Sequence, residues 1–414
     1  MRKVRARFET LIPSMAVVFV LAIALAVVAT PSAQAQTYTV LYSFTGSDVD
    51  GSNPAAGLVE DSAGNLYGTT LYGGTGLFGC TFGCGTVFEV DTAGKETILH
   101  SFGETVTDGE SPYYGYLFRD TAGNLYGTTA YGGDHDSGTA FRLGANGKEL
   151  FFSFPGGAKG GFPYAGLVGD TAGNFYGTTY VRGSGCPPYG CGTVYQVTSV
   201  GKETVLYSFT GAPDGEFPKS SLVWDSTGNL YGTTEYGGAN GYGTVFEVTA
   251  TGKETVLYSF CSQADCVDGS YPYSGLVQDS SGNLYGTTVD GGANGAGTVF
   301  ELATTGKETV LYSFCSQSGC VDGAYPFSSL VRDSSGNLYG TTQYGGANSA
   351  DAGTIFEVTT TGKETVLYNF CSQPGCVDGS YTATGLLRDS AGNLYGTTFY
   401  GGASGDGTVF KLTP

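Results

Sequence analysis

Beyond residue 36 the apolar positions fall into short runs of four to seven residues in which large and polar side chains alternate. Clusters of Gly, Asp, Asn, Ser and Thr separate the runs. Alternation with period two is the signature of a strand, not of a helix. Residues 221–224, 229–234, 243–248 and 254–260 show the pattern most plainly. Asp225-Ser226-Thr227-Gly228 joins the first pair, and Thr251-Gly252-Lys253 joins the second. Asp offers the turn amides a side-chain acceptor and Gly supplies positive φ, so each junction predicts a tight hairpin. The product is a meander of four antiparallel strands. In the outermost, Thr204-Val205-Leu206-Tyr207-Ser208-Phe209, strict alternation places Val, Tyr and Phe on one face.

The same unit is written seven times. NLYGTT, once NFYGTT, begins at Asn65, Asn124, Asn174, Asn229, Asn283, Asn337 and Asn393, at steps of 50 to 59 residues. A unit of this length cannot bury its apolar faces alone, so the copies must cover one another. The expected fold is all-β: a seven-bladed β-propeller with four antiparallel strands per blade. The recurring glycine of the motif, Gly68 in the first copy, is expected to let an aromatic ring of the next sheet approach the backbone. Residues 38–44 read as a fourth strand lacking three before it, and the chain ends on a third strand lacking a fourth. The two fragments predict one blade, formed by 385–413 and completed by 38–44, which closes the ring and removes its open edges. Residues 38–414 are thus expected to form one propeller.

Residues 1–35 differ in kind. Arg2, Lys3, Arg5 and Arg7 precede an unbroken apolar run over 16–29, and Ala33-Gln34-Ala35 follows. A basic head, a short apolar core and a small-x-small site predict a signal peptide over 1–35, and a secreted, periplasmic or cell-surface protein with no span after its removal. The chain carries a net charge of −19. Such a surface repels phosphate backbones, so nucleic acid is not an expected partner. All ten cysteines fall into close pairs: Cys80 with Cys84, Cys186 with Cys191, Cys261 with Cys266, Cys315 with Cys320, and Cys371 with Cys376. In an exported protein these predict five small disulfide loops. With only His100 and His135 as imidazoles, no structural zinc is expected.

The segment order is similar to the NHL-type propeller repeat. Gly57-Leu58-Val59-Glu60-Asp61-Ser62 and Gly64-Asn65-Leu66-Tyr67-Gly68-Thr69 stand for its first two strands. More closely, the array resembles the bacterial tandem repeat GloVer of choice-of-anchor proteins. GNLYGTT, YGG, GTVFEV, GKETVLYSF and the following Asp-Gly carry the resemblance across nearly all of 38–414. It implies an exported bacterial protein, often with a terminal surface-anchoring segment. Here Pro414 follows the last strand almost directly, and covalent anchoring is not expected.

Turns between strands one and two, and between three and four, are short and uniform. The other connections are long, variable and hold every cysteine pair, so binding is expected on their face. Two recurring sets lie there. Asp-Gly precedes the innermost strand at Asp50, Asp108, Asp214, Asp268, Asp322 and Asp378, while the third unit has Gly160-Gly161. These carboxylates are either turn groups or a ring at the channel mouth able to take a cation such as calcium. No other cofactor is expected. The residue after the near-constant proline is Tyr113, Tyr164, Lys219, Tyr273 or Phe327, with Ala55 and Ala383 in the remaining units. It is a candidate sugar platform or an inter-blade packing position. Catalytic candidates reduce to His135 between Asp134 and Asp136. Two functional readings follow. One is a monomeric binding module for a glycan or another envelope component. The other is a propeller enzyme, a polysaccharide lyase or hydrolase acting at the channel mouth. Fold alone does not choose between them.

Overall fold

The computed structural model describes residues 36–414 apart from 47–49, 77, 145–146, 349–351 and 383. The expected signal peptide and Ala383 lie outside the described residues. Residues 36–414 form one compact unit of seven four-stranded antiparallel sheets, the blades of a propeller. Blade 1 comprises Val59–Glu60, Leu66–Thr70, Thr86–Val90 and Glu96–Ser101, paired in that order. Blades 2 to 7 repeat this plan. In blade 7 the outer strand is Thr37–Ser43, which pairs antiparallel with Thr408–Thr413. The ring therefore closes as the two incomplete ends predict.

The hairpins follow the turn chemistry of their residues. Between strands one and two of blade 4, Asp225 Oδ1 accepts from the amides of Thr227 at 2.8 Å and Asn229 at 3.0 Å. Its Oδ2 accepts from the Tyr231 hydroxyl at 3.0 Å. Burial alone would raise the Asp225 carboxyl, but the Thr227 hydroxyl, which donates to Oδ1 at 2.7 Å, and these other donors hold it down at about 2. Between strands three and four, Lys253 N donates to Thr249 Oγ1 at 3.1 Å.

Two details depart from expectation. The outer strand is not strictly alternating. A bulge shifts its register in every blade, so that in blade 3 Tyr207 pairs with Val194 but Val205 pairs with Tyr195. Leu206 is the extra residue, and the local twist that results is what a bulge supplies. The aromatic ring over the NLYGTT glycine also comes from the same sheet, not the next one. Gly68 pairs with Phe88 across two strands of blade 1, and a Cβ at Gly68 would stand 2.6 Å from Phe88 Cζ. The neighbouring blade contributes a second ring instead. Phe44, directly after the closing strand, meets Phe88 edge-on at 5.1 Å, and Phe209–Phe246 and Phe314–Phe356 repeat this between later blades. All these phenylalanines are fully buried. Edge-to-face pairs of this kind hold blade to blade.

The blade seams also hold carboxylates. Burial pushes Glu96, Glu254, Glu308 and Glu364 up to about 7, helped by Asp50, Asp214, Asp268 and Asp322 respectively. An acid whose folded pKa is raised stays neutral while its unfolded form ionises, so stability falls as pH climbs from the usual carboxylate range through 7. The hairpin aspartates have lowered values and act oppositely, losing stability as pH drops below about 4. The thermal midpoint should peak near pH 5 and be several degrees lower at pH 8. Melting curves flat across that interval would contradict the neutral glutamates.

Candidate functional site

One face of the ring is built from the blade-to-blade loops and the connections between strands two and three. The two loop sets are tied by a short ladder in every unit. Gly51–Ser52 pairs with Tyr72–Gly73, and single bridges such as Ser270–Asp290 do the same elsewhere.

All five cysteine pairs are disulfides on these loops. Cys80 is bonded to Cys84 and Cys186 to Cys191, both within connections between strands two and three. Cys261 is bonded to Cys266, Cys315 to Cys320 and Cys371 to Cys376, all within blade-to-blade loops. The second cysteine of a pair is placed differently in the two classes. Cys84 and Cys191 are buried against the blade, and Cys191 forms a bridge with Arg182. Cys266, Cys320 and Cys376 instead end a single 3-10 turn, each with φ of 52°. The spacing of the cysteines predicts the bond but not this turn, because the motif between them differs in each loop. Glu110 stands close to the sulfurs of Cys80 and Cys84, all ligand atoms lying within 4.8 Å of one another. Both thiols are used in the disulfide, so this cluster offers a metal no thiolate.

The Asp-Gly carboxylates are buried, none more than 8% exposed. Asp322 accepts from the Tyr312 hydroxyl at 2.7 Å, from Ser316 N and Oγ at 2.8 and 2.9 Å, and from Gln317 N at 3.2 Å. Asp268 and Asp378 make the same four contacts. Asp50 and Asp214 bind Tyr42 and Tyr207 likewise, and Asp108 lies 3.5 Å from His100. Each carboxylate thus pins a loop to the outer strand it leaves. None of the six lines the cavity on the ring axis.

The residues after the proline do converge. Tyr113 and Tyr164 have ring centroids 5.3 Å apart, and Tyr273 and Phe327 5.1 Å. Lys219 Nζ donates to the Tyr273 hydroxyl at 2.9 Å and lies over the rings of Tyr273 and Tyr180 at 4.3 and 4.7 Å. Its charge is met by Glu235 Oε2 at 2.7 Å. Tyr180 and Glu235 stand one residue after the NLYGTT motif, at a position also held by Leu71, Ala130, Val289, Gln343 and Phe399. Such variation in a fixed frame suits a ligand surface better than a shared core.

The centre of the ring holds a feature that counting from the proline misses. Six units place a small residue directly before the first-strand leucine: Gly57, Gly166, Ser221, Gly275, Ser329 and Gly385. The second unit has one extra residue between Pro112 and Leu117, and puts Tyr116 there with Tyr114 two before it. Tyr116 crosses the bore to reach Ser329 and the Gly385 backbone, and Tyr114 reaches Tyr273. Burial raises the pKa of both phenols. About 30 Å³ remains on the axis, room for one water.

Around this plug stands an outer ring of aromatics. Residues Asn53, Ser111, Phe162, Phe217, Tyr271, Tyr325 and Tyr381, at one position of the seven units, all have φ between 53° and 61°. Bulky residues avoid this left-handed region, and where they persist the surrounding bonds must hold them. Here both backbone groups are engaged: Tyr271 N donates to Tyr242 O at 2.9 Å, and Val289 N donates to Tyr271 O at 3.1 Å. The conformation aims five aromatic side chains among the tyrosines of the Tyr-Gly-Gly segments. Tyr131–Phe162, Tyr236–Tyr271, Tyr325–Tyr344 and Tyr381–Tyr400 have centroids 5.3 to 5.7 Å apart. Tyr72, Tyr131, Tyr236, Tyr325 and Tyr400 are 36–48% exposed.

His135, Asp134 and Asp136 are exposed on a loop of the same face, where Asp136 Oδ1 accepts from Gly132 N at 3.2 Å. They stand apart from the axial cluster in the hydrogen-bond network. Among the described residues no helix is long and apolar enough to cross a membrane.

The family described as Gloeobacter/Verrucomicrobia repeat matches residues 75–278 and 261–414. No curated protein sequence matches the chain. Similar solved structures include a putative 6-phosphogluconolactonase from Bacteroides fragilis, at 17% identity and TM-score 0.46 over 84% of this chain and 98% of that one. A luciferin-regenerating enzyme is 12% identical with TM-score 0.40, covering 72% and 90%. A putative gluconolactonase is 14% identical with TM-score 0.36, covering 66% and 80%. Likenesses this distant say nothing about chemistry.

Proposed function

Because the chain belongs to the Gloeobacter/Verrucomicrobia repeat family and folds as one closed ring, we propose that it is an exported binding module for a glycan of its surroundings. The observation that carries this is the pair of aromatic rings on a single face: an inner set about Tyr164, Tyr273 and Phe327, and an outer set about Tyr131, Tyr236 and Tyr381. Flat rings beside hydroxyls and one part-buried ion pair offer a sugar its stacking surface and its hydrogen bonds. Exposed aromatics gathered on one face mark an interaction site. Five disulfides and the 16–29 apolar run support an oxidising, extracytoplasmic location.

Among the described residues, Lys219 beside Tyr273 is the constellation at the axis that favours an enzyme, since an ammonium near a phenol can create a phenolate base. Burial and then Glu235 push the Tyr273 phenol up, however, which leaves it a poor base at neutral pH. Glu235 also neutralises the lysine. Binding is the reading that these charges support.

Affinity electrophoresis against soluble polysaccharides tests it. At least one glycan should retard the protein, and Tyr131→Ala with Tyr236→Ala should weaken binding about thirtyfold, at roughly 1 kcal/mol for each lost platform. Both tyrosines are part-exposed, so the fold should survive. Retardation by no glycan would sink the proposal. A substrate screen finding turnover that Lys219→Met abolishes would put the enzyme first.

A further inference from the structure

Blade 3 breaks the repeat in charge, at two places that meet. Gly160 occupies the glycine of the Asp-Gly pair, since a Cβ there would strike Thr179 as one at Gly51 would strike Thr70. Lys159 therefore stands where the other six units hold aspartate. The second break is Arg182, which replaces the first glycine of Tyr-Gly-Gly. The equivalents Gly73, Gly132 and Gly237 have φ of 83°, 78° and 82°, and Arg182 keeps that left-handed turn at 69°. An arginine is held in a glycine conformation by backbone bonds: Arg182 N donates to Tyr189 O at 2.8 Å, and Gly192 N donates to Arg182 O at 2.9 Å.

The side chain has a prepared bed. Its guanidinium lies 4.9 Å above the Phe162 ring. The side chain also crosses Gly156, where a Cβ would collide with the guanidinium, and Gly161, where a Cβ would stand 3.1 Å from Arg182 Cδ. No carboxylate pairs with it among the described residues, whereas Lys159 has Glu203 at 3.6 Å. Arg182 and Phe162 form one wall of a pocket of about 690 Å³, and Tyr189, 80% exposed, forms another. Among the described residues no acidic side chain lines it. On the neighbouring loop, the Asp136 carboxylate is engaged by Gly132 N at 3.2 Å. Through Phe162 and Tyr131 the pocket continues the outer aromatic ring.

We infer that this pocket is an anion subsite, which takes a carboxylate or sulfate group carried on a sugar of the bound glycan. The inference rests on the glycan reading above and narrows it to acidic glycans. A planar guanidinium matches a two-oxygen anion bidentately and remains charged at any working pH. Tyr189 supplies the face on which the same sugar ring stacks. In a chain of net charge −19 no general attraction draws a polyanion, so the preference must come from this local group.

Titration calorimetry on the purified protein tests it in two arms. One compares an oligogalacturonate with its methyl ester, and the other a sulfated oligosaccharide with its desulfated form. In one arm the charged ligand should bind at least tenfold tighter than its neutral partner. Arg182→Gly should erase that margin without lowering the thermal midpoint, because glycine suits the backbone there. Arg182→Lys should keep part of it. Charged and neutral ligands binding alike, or a margin that survives Arg182→Gly, would overturn the subsite while the broader glycan reading stands. Binding of no oligosaccharide at all would remove both.

Discussion

A chain lacking residues 36–45 is expected to lose its cooperative unfolding transition. The closing strand Thr37–Ser43 brings Tyr38, Leu41 and Tyr42 to the seam, and Phe44 follows, fully buried. Tyr38 stacks on Tyr368 at 3.9 Å, and its hydroxyl donates to Asp378 O at 2.6 Å. It stands where five of the other outer strands, as at Glu254, carry glutamate and blade 2 carries Lys148, so it turns a charged position into an apolar clasp. Burying these four side chains stabilises by about 6 kcal/mol, against a typical total of about 5–15 kcal/mol. Deletion would also expose Thr408–Thr413 as a bare edge, which invites association between chains. Circular dichroism melts with size-exclusion chromatography would show a broad, early transition and larger species. A synthetic peptide of residues 37–44 should restore part of the transition. A truncated protein melting within a few degrees of the full chain would refute the claim that this strand locks the ring.

The second large effect is expected at the seam aspartates. Asp322→Ala removes an acceptor from two backbone amides and two hydroxyls; the carboxylate is fully buried, while the donors of Ser316 and Gln317 lie on exposed residues. A stranded donor costs about 1–3 kcal/mol, but the Tyr312 and Ser316 hydroxyls keep each other as partners and water reaches the Ser316 and Gln317 amides, so the net loss is about 2 kcal/mol. Asp322→Asn keeps one oxygen and should fall between. Glu364 offers an independent readout. Its carboxyl is raised by burial and then by Asp322, so in the asparagine variant it should titrate lower and the pH dependence of stability should flatten. Urea unfolding at pH 5 and pH 8 measures both. A loss under 1 kcal/mol for alanine would show that the loop does not depend on the carboxylate.

The architecture was legible because its signals are redundant. Seven copies of one motif, Asp and Gly at each hairpin, and complementary chain ends all point to a closed ring. The aromatics after the proline were legible as a set for the same reason, and the five disulfides because each cysteine has its partner four or five residues away. What escaped was local and non-repeating. The extra residue between Pro112 and Leu117 shifts two tyrosines onto the axis, yet it disturbs no strand pattern. Lys159 was hidden by the adjacent glycines, since aligning Gly160-Gly161 with Asp-Gly slips the count by one. The outer aromatic ring depends on positive φ at Tyr271 and its equivalents, which no propensity announces for a bulky side chain before proline. The bulge at Leu206 leaves composition untouched and alters only which faces its neighbours occupy.

Tyr116 also decides valence. Seven like blades would ordinarily offer seven interchangeable berths, and a polymer could then bind by avidity through repetition. One tyrosine laid across the bore, with Lys219 and Arg182 each present in a single sector, cancels that interchangeability. If the face binds a glycan as proposed, the stoichiometry to expect is one occupant per chain, in a fixed orientation and approached from one side, because the axis is shut as a conduit.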